Sequence, residues 1–247
     1  MKRLFIVLFV VFVLGLAVPA SAQDIRKETI ESQGKKHTYY LLVPANATAE
    51  HPAPLLLLLH GSNHNGMSLM EKWKDLAIGE GLVLVGPDSL NPQAWNAPAD
   101  GPEFLYELLS ALKSKYPIDS RRMYVFGHSG GAAFALYMSL YESEYFAATA
   151  IHAGALAPKA YSIADIAKRK IPIYIIVGTV DQSFPLTDVR ATRDALNQRG
   201  FNAQLTEMKG HDHWYYDLAP KINADAWDFL KQQKLAEEPR YTQYNFK

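Results

Sequence analysis

The chain has 247 residues, of which 49% are hydrophobic, 20% charged and 12% aromatic. This composition suits one compact domain and excludes a disordered chain, a fibrous repeat and a multispan membrane protein. Lys plus Arg and Asp plus Glu each number 25, so no charge excess points to nucleic acid, and zero Cys excludes a disulfide framework, a thiolate nucleophile and a Cys-based metal site.

At the N-terminus, Lys2 and Arg3 precede an apolar run from Leu4 to Val18, followed by Pro19 and Ala20-Ser21-Ala22. Two positive charges, a short apolar run and a small-x-small site are the parts of a secretory signal peptide. The run falls short of the roughly 20 residues that a membrane span needs. The expectation is a signal over residues 1–22, cleaved after Ala22, and a single domain over 23–247 that is secreted or periplasmic and keeps no membrane insertion. Asn46-Ala47-Thr48 fits a glycosylation sequon, a pattern that also arises by chance in loops.

In chain order, 26–32 and 36–43 read as strands meeting at a Gln33-Gly34 turn. The continuous apolar run from Pro54 to His60 suits a strand buried on both faces of a parallel sheet. A helix is predicted over 68–78, a strand over 82–85, and a helix over 102–115 with Pro102 just inside its start. Strand 123–126, helix 130–141, strands 147–152 and 171–177, helix 185–199, strand 202–208 and a last helix over about 217–233 complete the pattern. The alternation implies an α/β fold with a mostly parallel sheet and helices on both faces. No repeat or low-complexity linker marks a second domain.

Gly127-His128-Ser129-Gly130-Gly131 fits G-x-S-x-G between a predicted strand and a predicted helix. Five residues with three fixed are a weak pattern alone. In a strand–turn–helix setting they describe a nucleophile elbow, whose strained turn tolerates no bulk at −2 and +2. The helix start also offers N–H groups and a positive dipole end near the serine oxygen. Ser129 is therefore the candidate nucleophile, and the Gly130 N–H is one expected oxyanion donor.

From this motif the chain resembles the α/β-hydrolase superfamily, and within it secreted esterases of the feruloyl esterase and polyhydroxybutyrate depolymerase kind. The likeness extends to His60-Gly61, Tyr116-Pro117-Ile118-Asp119, Gly178-Thr179-Val180-Asp181 and Gly210-His211-Asp212-His213-Trp214-Tyr215-Tyr216. The last segment looks like the histidine loop of S-formylglutathione hydrolases. The resemblance implies the chain order Ser, acid, His, and places the acid at Asp181, with Asp188 and Asp212 as fallbacks. Two histidines compete for the base. The S-formylglutathione hydrolase pattern selects His213, and the Gly-His of other esterases selects His211; more residues agree with His213. The resemblance places the second oxyanion donor at the Ser62 N–H, and His60 then reads as a brace for its loop.

The implied function is hydrolysis of carboxylic esters through an acyl-enzyme, with no cofactor and no metal. The rival readings are a peptidase or thioesterase on the same fold, a metal hydrolase using His60, His64, His211 and His213, and a non-catalytic extracellular binding protein. HExxH and nucleotide-binding glycine patterns are absent, and no basic stripe supports nucleic acid as a partner. Residues 153–170 leave little or no room for a cap domain. An open cleft is the expectation, suited to short-acyl, aromatic-acyl or polymer-attached esters, with Trp95, Asn96 and Trp214 at its rim.

Overall fold

The computed structural model describes residues 24–242; the segment 1–22 expected to be a signal and the last residues of the tail lie outside them. Among the described residues no helix is long and apolar enough to cross a membrane. Eight strands form one sheet: β1 (Arg26–Ser32), β2 (Lys35–Leu42), β3 (Ala53–Leu59), β4 (Val83–Pro87), β5 (Ile118–His128), β6 (Ala148–His152), β7 (Ile173–Gly178) and β8 (Ala203–Met208). Their order is β1-β2-β4-β3-β5-β6-β7-β8. The hairpin β1–β2 and the pair β2–β4 are antiparallel, and all remaining pairs are parallel. Gln33 and Gly34 both have positive φ, 52° and 69°, the conformation that suits a tight two-residue hairpin.

Helices α1 (Gly66–Glu80), α2 (Pro102–Lys115), α3 (Gly130–Tyr141), α4 (Ile163–Ile166), α5 (Leu186–Asn197) and α6 (Ala219–Leu230) complete the layers. The leucine run of β3 explains itself here. Leu55, Leu57 and Leu59 enter one core with α2, α3 and α5, while Leu56 and Leu58 enter the other with α1 and α6. All five are fully buried, each contributing about 1.5–3 kcal/mol of apolar transfer.

Two elements exceed the sequence reading. Strand β5 begins at Ile118, five residues earlier than its apolar stretch, because the polar segment 118–122 is only half-buried and still pairs beside β3. Helix α1 begins at Gly66, capped by Asn65 Oδ1, which accepts from Ser68 N–H at 3.2 Å. A Cβ on Gly66 would stand 2.1 Å from Gly86 O, so the glycine that obscured the helix start is what lets α1 lie against β4. Between β6 and β7 the chain forms only a 3₁₀ turn (Pro158–Ala160) and α4, with no cap over the site.

Because β3, β5, β6, β7 and β8 run parallel, the loops after them open at one edge of the sheet, where α/β folds build their sites.

Candidate active site

Ser129 links β5 to α3 with φ 56° and ψ −121°, a backbone conformation that L residues rarely hold. Two neighbours must be glycine for this turn to close. A Cβ on Gly127 would lie 2.3 Å from Gly131 O, and one on Gly131 would lie 2.0 Å from Leu59 O. The turn leaves Ser129 half-buried at the sheet edge.

His213 Nε2 stands 2.9 Å from Ser129 Oγ, and its Nδ1 stands 2.9 Å from Asp181 Oδ2. Asp181 follows β7, and its side chain is fully buried. Its Oδ1 accepts from Ser183 N–H at 2.8 Å and Phe184 N–H at 2.9 Å. With Asp181 accepting at Oδ2, His213 carries its proton on Nδ1, and Nε2 is free to accept from the Ser129 hydroxyl. The Phe184 ring stacks on His213 at 5.9 Å.

The fallback acids lie elsewhere. Asp212 Oδ1 accepts from Trp214 N–H at 2.8 Å inside its own turn, and Asp188 contacts Thr187. His211 does not reach Ser129; its Nε2 meets His152 Nε2 at 3.1 Å.

On the opposite wall, Ser62 faces Gly130. A Cβ on Gly130 would stand 2.7 Å from Ser62 Oγ and 3.6 Å from Ser62 N. Among the described residues neither Gly130 N–H nor Ser62 N–H donates to a protein acceptor. The loop is braced from below: His60 Nδ1–H donates to Gly61 O at 2.8 Å and its Nε2 accepts from Ser89 N–H at 3.1 Å. Burial lowers the pKa of His60 and keeps it neutral in that role. Trp95 is half-buried, donating from Nε1 to His60 O at 2.8 Å and stacking on Phe134. Trp95, expected at the rim of the cleft, thus packs against the His60 loop. Trp214 is 49% exposed, 5.0 Å from Tyr216 and 6.4 Å from His64.

Among the described residues no group of three or more His, Asp or Glu is arranged to hold a metal ion. One cluster escaped sequence reasoning. His128 Nδ1 lies 3.0 Å from His152 Nδ1, so that His128, His152 and His211 form a buried file behind the elbow. Burial, reinforced by neighbouring imidazoles, pushes the His128 pKa down to about 3 and that of His152 to about 2. The only signal in the sequence was a histidine closing each of two adjacent apolar strands.

The family model of the dienelactone hydrolase family matches residues 93–233, more than half of the chain. A bifunctional acetylxylan esterase/xylanase of Neocallimastix patriciarum is 29% identical over 153 residues, which is 60% of this chain. The chain spans only 22% of that relative's length. Among solved structures, an S-formylglutathione hydrolase from Agrobacterium tumefaciens aligns with a TM-score of 0.67 and 21% identity, covering 85% of this chain and 94% of its own. A CE1 ferulic acid esterase from Anaeromyces mucronatus aligns at 0.65 and 20% identity, covering 81% and 88%. At such identities the two structures speak for the fold. Taken with the match across residues 93–233, which contains the elbow, Asp181 and both loop histidines, the chain belongs to the dienelactone hydrolase family, within the α/β-hydrolase superfamily.

Proposed function

We propose that this hydrolase cleaves carboxylic esters through an acyl-enzyme, with Ser129 as nucleophile, His213 as general base and acid, and Asp181 as the carboxylate that orients it. The observation that carries the reading is the pair of 2.9 Å contacts that His213 makes, one to Ser129 Oγ and one to Asp181 Oδ2. A serine hydroxyl is a weak nucleophile until a base takes its proton, and the carboxylate stabilises the imidazolium that forms. Ser129 Oγ attacks the ester carbonyl as its proton passes to His213 Nε2. The resulting oxyanion takes hydrogen bonds from Gly130 N–H and Ser62 N–H, each worth about 2.7–4 kcal/mol in such sites. His213 then gives the proton to the departing alcohol. Water, deprotonated by His213, attacks the acyl-enzyme and releases the acid, returning the proton to Ser129.

Substrates of the short-acyl, aromatic-acyl or polymer-attached kind fit the site best. Supporting this are the missing cap between β6 and β7, the exposed Trp214 beside His213, and the likeness to proteins named for acetylxylan and ferulic acid esters. The chain acts outside the cytoplasm after loss of residues 1–22, as one domain over 23–247 with no need of a cofactor. The leader composition supports that placement.

The test uses the mature protein with p-nitrophenyl acetate, butyrate and laurate, feruloyl and acetyl-sugar esters, a thioester and a peptide. Ester turnover that prefers short or aromatic acyl groups, and that a fluorophosphonate abolishes, is expected. A strong laurate preference refutes the open cleft, and faster cleavage of the peptide or thioester replaces the ester reading. N-terminal sequencing of the exported protein should begin at Gln23; a start at Met1 refutes the leader.

A further inference from the structure

Strands β5 and β6 end side by side, with His128 and His152 in register as their last residues. His152 is completely buried, and its carbonyl oxygen and both ring nitrogens have partners. Its carbonyl accepts from Ser129 N–H at 3.1 Å. Its Nδ1 meets His128 Nδ1 at 3.0 Å, and its Nε2 meets His211 Nε2 at 3.1 Å. His211 lies two residues before His213, in a loop that also docks through Val180 N–H to His211 O at 3.1 Å. A Cβ on Gly178 would stand 2.0 Å from His211 O, so the loop sits directly on the end of β7. The Tyr215 ring closes the file from the side, 5.2 Å from His128 and 5.7 Å from His152.

We propose that His152 is a positioning residue for the reaction: by bonding the elbow through His128 and the base-bearing loop through His211, it fixes where His213 stands over Ser129. The inference rests on the reading of Ser129 and His213 as nucleophile and base. The physical reason lies in imidazole chemistry. A neutral imidazole has one donor and one acceptor, so His152 can give on one side and accept on the other, in either direction along the file. If the loop moves away, the His152–His211 bond breaks and leaves buried nitrogens without partners. That cost opposes displacement of His213, and a shift of about 1 Å at a reacting group can lose about 10²-fold in rate. His211, the competing candidate for the base, thus has a different task in the same loop. It ties the loop down, and His213 does the proton transfer.

The experiment compares side chains that keep one bond or neither, read by steady-state kinetics with p-nitrophenyl acetate and by thermal unfolding. His152→Phe, which keeps the ring and loses both bonds, should lower kcat about 10- to 100-fold with KM changed less than about threefold. His152→Gln, whose amide extends to the Nε2 position, keeps the bond to His211 and should restore most of the lost kcat. His152→Asn stops at the Nδ1 position, keeps only the bond to His128, and should remain as slow as His152→Phe. Approached from the less buried end, His211→Phe should reproduce the loss, and the His152→Phe/His211→Phe double variant should be no slower than either single one. His211→Phe also carries the test should His152→Phe fail to fold. Unchanged kcat in His211→Phe or His152→Phe, additive losses, or equal rates for the Gln and Phe variants would overturn the proposal. Ser129→Ala, run alongside, separates the two failures: full turnover there refutes the nucleophile itself.

Discussion

Lowering the pH from 7.5 to 5 should destabilise this protein through two buried histidines. The perturbation acts on His128 and His152, whose burial lowers their pKa values to about 3 and about 2, against 6.5 for the same groups in the unfolded chain. At pH 5 the unfolded chain binds a proton at each position and the native state binds none, so stability falls as the pH falls. Each group loses about 1.4 kcal/mol per unit below 6.5, which is about 2 kcal/mol at pH 5 and about 4 kcal/mol for the pair. His60 and His37 are lowered by burial too and act with the same sign. Asp119, held below the usual carboxylate range by Arg122 and Lys234 against the opposing effect of its burial, loses its contribution only below its ordinary value of 3.8. It therefore adds nothing between pH 7.5 and 5. Urea unfolding at constant ionic strength, followed by fluorescence of the buried Trp73 and Trp227, measures the change. His152→Gln should reduce the loss at pH 5 by about 2 kcal/mol, the share of one such histidine. A stability that is flat from pH 7.5 to 5, or an unaltered slope in His152→Gln, would refute the reasoning.

Ser129→Ala should lower turnover by several orders of magnitude while the unfolding transition is retained, checked by active-site phosphonylation and calorimetry. Asp181→Asn should cost about 10⁴-fold in kcat. The backbone N–H groups of Ser183 and Phe184 will hold the amide oxygen, so the amide NH₂ faces His213 Nδ1 and forces the proton onto Nε2, where it blocks Ser129. Gly131→Ala drives a Cβ into Leu59 O and should destabilise by about 1–3 kcal/mol with loss of phosphonate labelling, measured by urea midpoint and labelling rate. Leu57→Ala, at a fully buried position in β3, should cost about 2–5 kcal/mol in urea unfolding and leave the site's kinetics near those of the parent wherever the protein is folded.

The sequence by itself determined the α/β class, the order of strands and helices, and the elbow. Those features are written in local signals: a leucine run with no polar face, a G-x-S-x-G between an apolar strand and a small-residue helix, and two loop histidines after the last strand. Element ends were less legible where glycine or half-buried polar residues stood, as at Gly66 and in 118–122. Only the tertiary structure decided which of His211 and His213 reaches Ser129, because two residues apart in one loop they point to different neighbours, and spacing cannot rank them. It also decided that Trp95 bonds the His60 loop, and that His128, His152 and His211 share one buried file. Strand pairing brings β5 beside β6, and the packing of the loop onto Gly178 brings His211 to both. Contacts made across 24 and 59 residues of chain leave no periodicity for a sequence to display.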